Sequence, residues 1–265
     1  MLSRRRFLPV LGAPLAASLL PAARLGAMAS EEQHSPGLFV ARNYLLRNGS
    51  QPERFHSFLK GGVLAEVTRH SSAPPVVLDA MIAAHMPQTM TIFGFRSVEH
   101  WQEAEQKLAS SASYQAALEQ WERGDEAPYE EYSERLLTAT PFCPPIVASE
   151  AASQPRYFEL RVYHSPTRRQ LAALNDRFSG HEIGIFHRNG IHPILYSNGL
   201  TGDSLPNLTY LIPFDSLAAR EKAWAAFAAD PEWIKVRADS VQKFGQIASV
   251  IHMSIWKAAP YSPVR

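Results

Sequence analysis

Residues 157–163, Tyr-Phe-Glu-Leu-Arg-Val-Tyr, alternate in character along the chain. Phe158, Leu160 and Val162 fall on one side of a strand and Tyr157, Glu159, Arg161 and Tyr163 on the other. Ser165-Pro166 follows as a helix start, with Leu171, Leu174 and Phe178 as the apolar side of that helix. A second helical piece, Glu182 to Arg188, stops at Asn189-Gly190, which suits a left-handed terminus. Strands are predicted over about 193–197 and 208–214, joined by the turn-rich segment 198–206. Asp215 or Ser216 then caps a helix carrying Leu217, Trp224 and Phe227, and Asp230-Pro231 opens a short helical turn with Trp233. A last strand runs over 250–256, with His252 and Ser254 on one side of it. The order is β-α-β-β-α-β.

The same plan recurs upstream at a constant offset of 119 residues. Phe39/Phe158, Arg42/Arg161, Tyr44/Tyr163, Gly61/Gly180, Phe95/Phe214, Ser97/Ser216 and Ala104/Ala223 are identical pairs in that register. This many identities without an insertion reads as a tandem duplication. The predicted class is therefore α+β: two tandem ferredoxin-like βαββαβ units, residues 38–145 and 155–265, with antiparallel sheets packed face to face. In this reading the helices cover the side of Phe158, Leu160 and Val162. Glu159, Arg161, Tyr163 and His252 then face a chamber between the sheets, with Arg42 and Tyr44 entering from the first unit.

Ahead of both units, Arg4-Arg5-Arg6-Phe7-Leu8 leads into an apolar run and then Ala27-Met28-Ala29 before Ser30. That order of charge, apolar core and small residues predicts a signal peptide over 1–29, cleaved between Ala29 and Ser30, with residues 30–37 a linker. The paired arginines followed by Phe7 and Leu8 resemble a twin-arginine export signal and predict a periplasmic or secreted protein. Gly12, Pro14, Pro21 and Arg24 interrupt the apolar run, which argues against a stable membrane anchor. The formal charge is +1; without the four arginines before Ser30, 22 basic residues face 25 acidic ones, a balance of −3. Such a chain has no basic footprint for nucleic acid. Cys143 is the single cysteine, so an intrachain disulfide is excluded.

The second unit resembles a NIPSNAP domain. The resemblance is carried by Glu159-Leu160-Arg161-Val162-Tyr163, Phe186-His187-Arg188-Asn189-Gly190-Ile191, Phe214-Asp215-Ser216-Leu217 and Ala229-Asp230-Pro231-Glu232-Trp233. It implies the dimeric α/β-barrel superfamily. NIPSNAP proteins have no settled biochemical activity, so the expectation is a small-molecule or protein partner held at the chamber, with homo-oligomerisation open. The alternative is a haem-dependent or cofactor-free oxidoreductase of that superfamily. The first unit departs from the pattern, with Val40 in place of the acid and His70-Ser71 in place of Asn-Gly.

No catalytic signature is present. His181-Glu182 begins like a zinc-protease motif, but Ile185 stands where the second histidine is required. The histidine spacings match no metal signature, so no metal site is predicted and no cofactor is assigned. Candidate pocket residues are Arg42, Tyr44, Glu159, Arg161, Tyr163, His187, Tyr210 and His252. Arg161 beside Glu159 fits an anionic or carbonyl ligand, or equally an ion pair internal to the sheet. The tyrosines fit a flat ligand, or plain packing.

Overall fold

The computed structural model describes residues 36–124, 126–151 and 153–265. The predicted signal motif (Arg4, Arg5, Phe7, Leu8), the cleavage point at Ala29 and Ser30, and nearly all of the linker lie outside the described residues. In chain order the first unit comprises β1 (Leu38–Leu45), α1 (Gln51–Phe58), a π-helical turn (Leu59–Val63) and α2 (Leu64–Arg69). It continues with β2 (Val76–Ile82), β3 (Gln88–Phe95), α3 (Val98–Ser110), α4 (Ala112–Glu122) and β4 (Glu131–Ala139). The second comprises β5 (Tyr157–His164), α5 (Arg168–Arg177), a π-helical turn (Phe178–Glu182) and α6 (Ile183–Arg188). There follow β6 (Leu195–Gly199), β7 (Asn207–Phe214), α7 (Leu217–Ala229), α8 (Pro231–Phe244) and β8 (Val250–Ala258). Arg42 on β1 and Arg161 on β5 hold the same place in their units, as do Tyr44 and Tyr163.

The local signals set these boundaries. Ser97 and Ser216, 119 residues apart, accept hydrogen bonds from the third backbone N–H of α3 and α7. Asp230 accepts from the N–H groups of Glu232 and Trp233 at the start of α8, and Pro231 fills a position that needs no donor. Two boundaries differ from the sequence reading. Thr167, two residues beyond Ser165, caps α5, while Ser165 Oγ is buried and donates to Ile247 O. The helical turn around Trp233 extends to the fourteen residues of α8.

Each unit forms an antiparallel sheet, and the sheets face one another and join along both edges. The strand order around the closed barrel is β1-β3-β2-β8-β5-β7-β6-β4. One join pairs β2 with β8 (Leu78 opposite Ala258) and the other pairs β4 with β6 (Thr138 opposite Asn198). The helices lie outside. Three apolar cores result, one under each helical layer and one inside the barrel.

The assignment of strand faces on β1 and β5 in the sequence reading is reversed in the structure, while His252 and Ser254 of β8 lie on the inward side. Phe39, Ala41, Met90, Ile92, Phe158, Leu160 and Trp256 point into the barrel. Arg42, Tyr44, Glu159, Arg161 and Tyr163 sit on the outer face, beneath the helices, as their contacts with helical residues show. The physical reason is that both faces are covered. All eight residues of β3 are buried, for example, so alternation separates two faces without saying which covers what. Charged groups settle under the helices because helical side chains supply their counter-ions there. The barrel interior offers few such partners and is mainly apolar. At roughly 1.5–3 kcal/mol for each large apolar side chain buried, the interior is a main source of stability.

Candidate functional site

Two arrangements have the chemistry of a site, one under the helices of the second unit and one inside the barrel. Glu159, fully buried, lies at the centre of the first. Its Oε2 accepts from Arg220 Nε at 2.6 Å and from Trp224 Nε1 at 2.8 Å, both on α7. Arg161 Nε lies 2.9 Å from Oε1 as an ion pair that is not aligned as a hydrogen bond. The Arg161 guanidinium stacks 4.0 Å from the Trp224 ring centroid and donates to Tyr163 Oη at 3.0 Å. Burial opposes its charge, but Tyr210, Tyr163 and Glu159 hold its pKa above the ordinary arginine range.

Tyr210 is also in this cluster, its ring 5.1 Å from that of Tyr163 and its hydroxyl far above the usual phenol pKa through burial. Nearby, burial pushes the carboxyl of Glu182 up to about 7, even with Arg177 Nε donating to it at 2.8 Å. Glu182 belongs to the π-helical turn, a local distortion of the kind that often marks special sites.

The matching point of the first unit has the opposite stoichiometry. Arg42 meets two carboxylates, Glu134 at 2.7 Å and Glu105, and Tyr132 donates to Glu134 at 2.8 Å. Tyr44 packs on Phe55 and Trp121 in the helix-side core. The remaining candidates lie elsewhere. His187 is an exposed helical residue stacked on His192, and burial with that neighbour lowers its pKa. His252 lies on the inward side of β8 at the open end of the barrel, hydrogen-bonded to Ser204 Oγ at 3.0 Å. The structure thus gathers Glu159, Arg161, Tyr163 and Tyr210 into one cluster. It keeps Arg42 and Tyr44 in the other sheet and His187 at the surface. None of the eight lines the chamber.

The chamber itself is a pit of about 250 Å³ inside the barrel. Ala41, Met90, Ile92, Leu137, Leu160, Leu195 and Trp256 form its apolar wall. Asn43, Gln88, Arg135, Thr209 and Ser254 supply the polar groups. Asn43 Nδ2 donates to Gln88 Oε1 at 3.0 Å, and Trp256 Nε1 donates to Ser254 Oγ at 2.7 Å. Asn43 Oδ1 is buried without a partner, so the pit lacks a hydrogen-bond donor at that point. Larger hollows of about 430 and 520 Å³ are open grooves along α1 and α4 and along α8. Most of the lining of the pit was missed because the faces of β1 and β5 were reversed. Its signal is a set of polar residues at inward positions of otherwise apolar strands.

Among the described residues no group of three or more histidine, cysteine or acidic side chains is arranged to hold a metal ion. None of the described helices is long and apolar enough to cross a membrane.

Comparison with known proteins places the second unit. Residues 158–263 match the NIPSNAP family. A NIPSNAP family protein of unknown function from Agrobacterium tumefaciens is 22% identical over 42% of this chain and 94% of its own, with a TM-score of 0.37. An uncharacterised NIPSNAP domain protein from Burkholderia xenovorans is 18% identical over 40% of this chain and 98% of its own, with a TM-score of 0.34. Both NIPSNAP proteins thus correspond in length to less than half of this chain. A Lactobacillus acidophilus protein provisionally named a monooxygenase spans both units, covering 84% of this chain and 93% of its own at 8% identity and a TM-score of 0.50. At that identity it shows a shared fold, the two-unit barrel. No curated protein matches the chain.

Proposed function

We propose that the protein is an exported NIPSNAP-domain protein, arisen by duplication of one unit, that binds a compact small molecule in the barrel pit. The carrying observation is the pit: about 250 Å³, walled by apolar side chains and closed by a few convergent polar groups. That combination is characteristic of small-molecule sites. The volume lies just below the roughly 300 Å³ typical of drug-sized ligands, so the occupant is small. Among the described residues no histidine, thiol or carboxylate lines the pit, which supports binding over acid–base catalysis there.

The test is native mass spectrometry of protein exported by its own signal, beside a Leu160→Trp variant. Added mass in the parent and its loss in a folded L160W protein is the expected result. Equal ligand in both sinks the pit as the site, and a Soret band in the exported protein turns the reading to the haem-dependent alternative. For the address, Arg4→Lys with Arg5→Lys should leave precursor in the cytoplasm, and unchanged export overturns the twin-arginine route.

A further inference from the structure

Among the described residues, Arg135 is the one formally charged side chain lining the pit. It lies on β4 opposite Ala41 of β1, two residue pairs from the point where Asn43 faces Ser133. Ala41, Asn43, Arg135 and Leu137 therefore share the inward face of adjacent strands, the two polar residues as diagonal neighbours about 7–8 Å apart. Its nearest carboxylate is Asp203, at 3.8 Å and with a side chain 90% exposed; the Arg135 side chain is itself 42% exposed, so at the mouth of the pit its charge is met mainly by water and is open to a ligand anion. The equivalent position in the second unit holds neutral Ser254, also in the lining, so the pit carries its charge on one wall only.

We propose that the ligand of the pit is an organic carboxylate, its apolar body against Leu160, Leu195 and Trp256 and its anionic group on Arg135. This rests on the pit being the binding site and adds the ligand's charge and orientation. A volume of 250 Å³ is the liquid volume of about eight waters, which suits a two-ring body. A planar guanidinium prefers a carboxylate over a neutral hydroxyl because it can donate two parallel hydrogen bonds to it. Asn43 Oδ1, lacking a donor, orients any hydroxyl or N–H that the ligand carries beside the carboxylate.

Three probes of one shape separate the possibilities: 2-naphthoate, 2-naphthylmethanol and 2-naphthylmethylamine, titrated by fluorescence into the whole mature protein, its Arg135→Gln variant and its Leu160→Trp variant. Naphthoate is expected to bind at least tenfold tighter than the alcohol, with the amine weakest. R135Q should bring naphthoate to the level of the alcohol and leave the alcohol within twofold of its original affinity. L160W should abolish naphthoate and alcohol binding alike. If naphthoate and the alcohol bind equally in the parent, or R135Q leaves naphthoate unchanged, the carboxylate assignment falls while loss of both probes in L160W still supports the pit. If none of the probes binds the parent, or L160W leaves binding intact, the pit and the carboxylate fall together.

Discussion

Glu159 on β5 accepts a hydrogen bond of 2.6 Å from Arg220 on α7, pinning the barrel wall to its helical cover through a carboxylate with no solvent exposure. The same carboxylate pairs with Arg161, so one buried anion serves two cations. Its removal leaves Arg161 without a carboxylate and Arg220 with only the exposed Glu221, whereas removal of Arg161 leaves Glu159 with Arg220 and Trp224.

Glu159→Leu should therefore lower stability by about 3–5 kcal/mol, and Arg161→Met by about 1–3 kcal/mol. Urea unfolding of the two variants checks the order. A larger loss in R161M would mean that the glutamate is not the shared anchor. Because the cluster lies outside the barrel, naphthoate affinity should be the same in R161M as in the parent.

Glu182 makes stability depend on pH. Its folded pKa, about 7, lies above the ordinary value of 4.5. Below pH 4.5 it is protonated in both states and its contribution is complete. As pH rises from about 4.5 to about 7, the unfolded chain gives up its proton first, so stability falls across that window, by on the order of 3 kcal/mol, and levels off above it. Glu182→Gln should remove this slope. Unfolding midpoints measured across the window in parent and variant decide it, and parallel curves would show that Glu182 ionises as freely in the fold as out of it.

Two glycines should respond oppositely to alanine. A Cβ on Gly199 would stand 2.7 Å from Leu205 Cδ2, which is exposed and can move, and 2.8 Å from Oδ1 of Asn207, which is buried and held by hydrogen bonds with Asp203 O, Ser204 O and Thr209 Oγ1. Gly199→Ala should cost about 1–3 kcal/mol. At Gly61, in the π-helical turn of the first unit, nothing lies within 4 Å, and Gly61→Ala should be neutral or slightly stabilising. Thermal melts of the two variants check the contrast.

The C-terminal segment ties the units together. Ala259 N donates to Val77 O, Val264 bridges to Val76, and Arg265 donates through its side chain to the carbonyls of Ser153 and Ser262. Deleting residues 259–265 should strip these bonds from β2 and lower the melting temperature by more than the loss of an exposed tail of equal length would. Limited proteolysis should then cut first near residues 149–153, where Ser149 Oγ donates to Arg265 O. An unchanged melt would show that the tail merely rests on the barrel.

Much of the architecture was legible because turns and caps report locally. Ser97, Ser216 and Asp230-Pro231 mark helix starts by their own chemistry. The inward and outward faces were not legible, for a reason visible in β5. Phe158 and Glu159 are both completely buried, so neither polarity nor alternation distinguishes the interior from the helix side. Only the counter-ions do, and Arg220 lies 61 residues from Glu159 in the chain. Of the eight candidate site residues, the four that form one cluster were read from neighbouring strands. The pit needed the closure of the barrel, which brings Asn43 and Arg135 of one unit opposite Ser254 and Thr209 of the other.

Both edges of both sheets are consumed within one chain. A barrel made from two identical subunits must repeat every substitution on the facing wall, so a cation in its cavity always arrives as a pair. Covalent linkage lifts that constraint. Leu137 faces the role of Trp256, Ala41 that of Leu160 and Arg135 that of Ser254, each pair separated by the same 119 positions and each unlike. The cavity thereby has a head and a tail, a polarity that exact twofold symmetry forbids, and a ligand with two different ends can bind in one direction only.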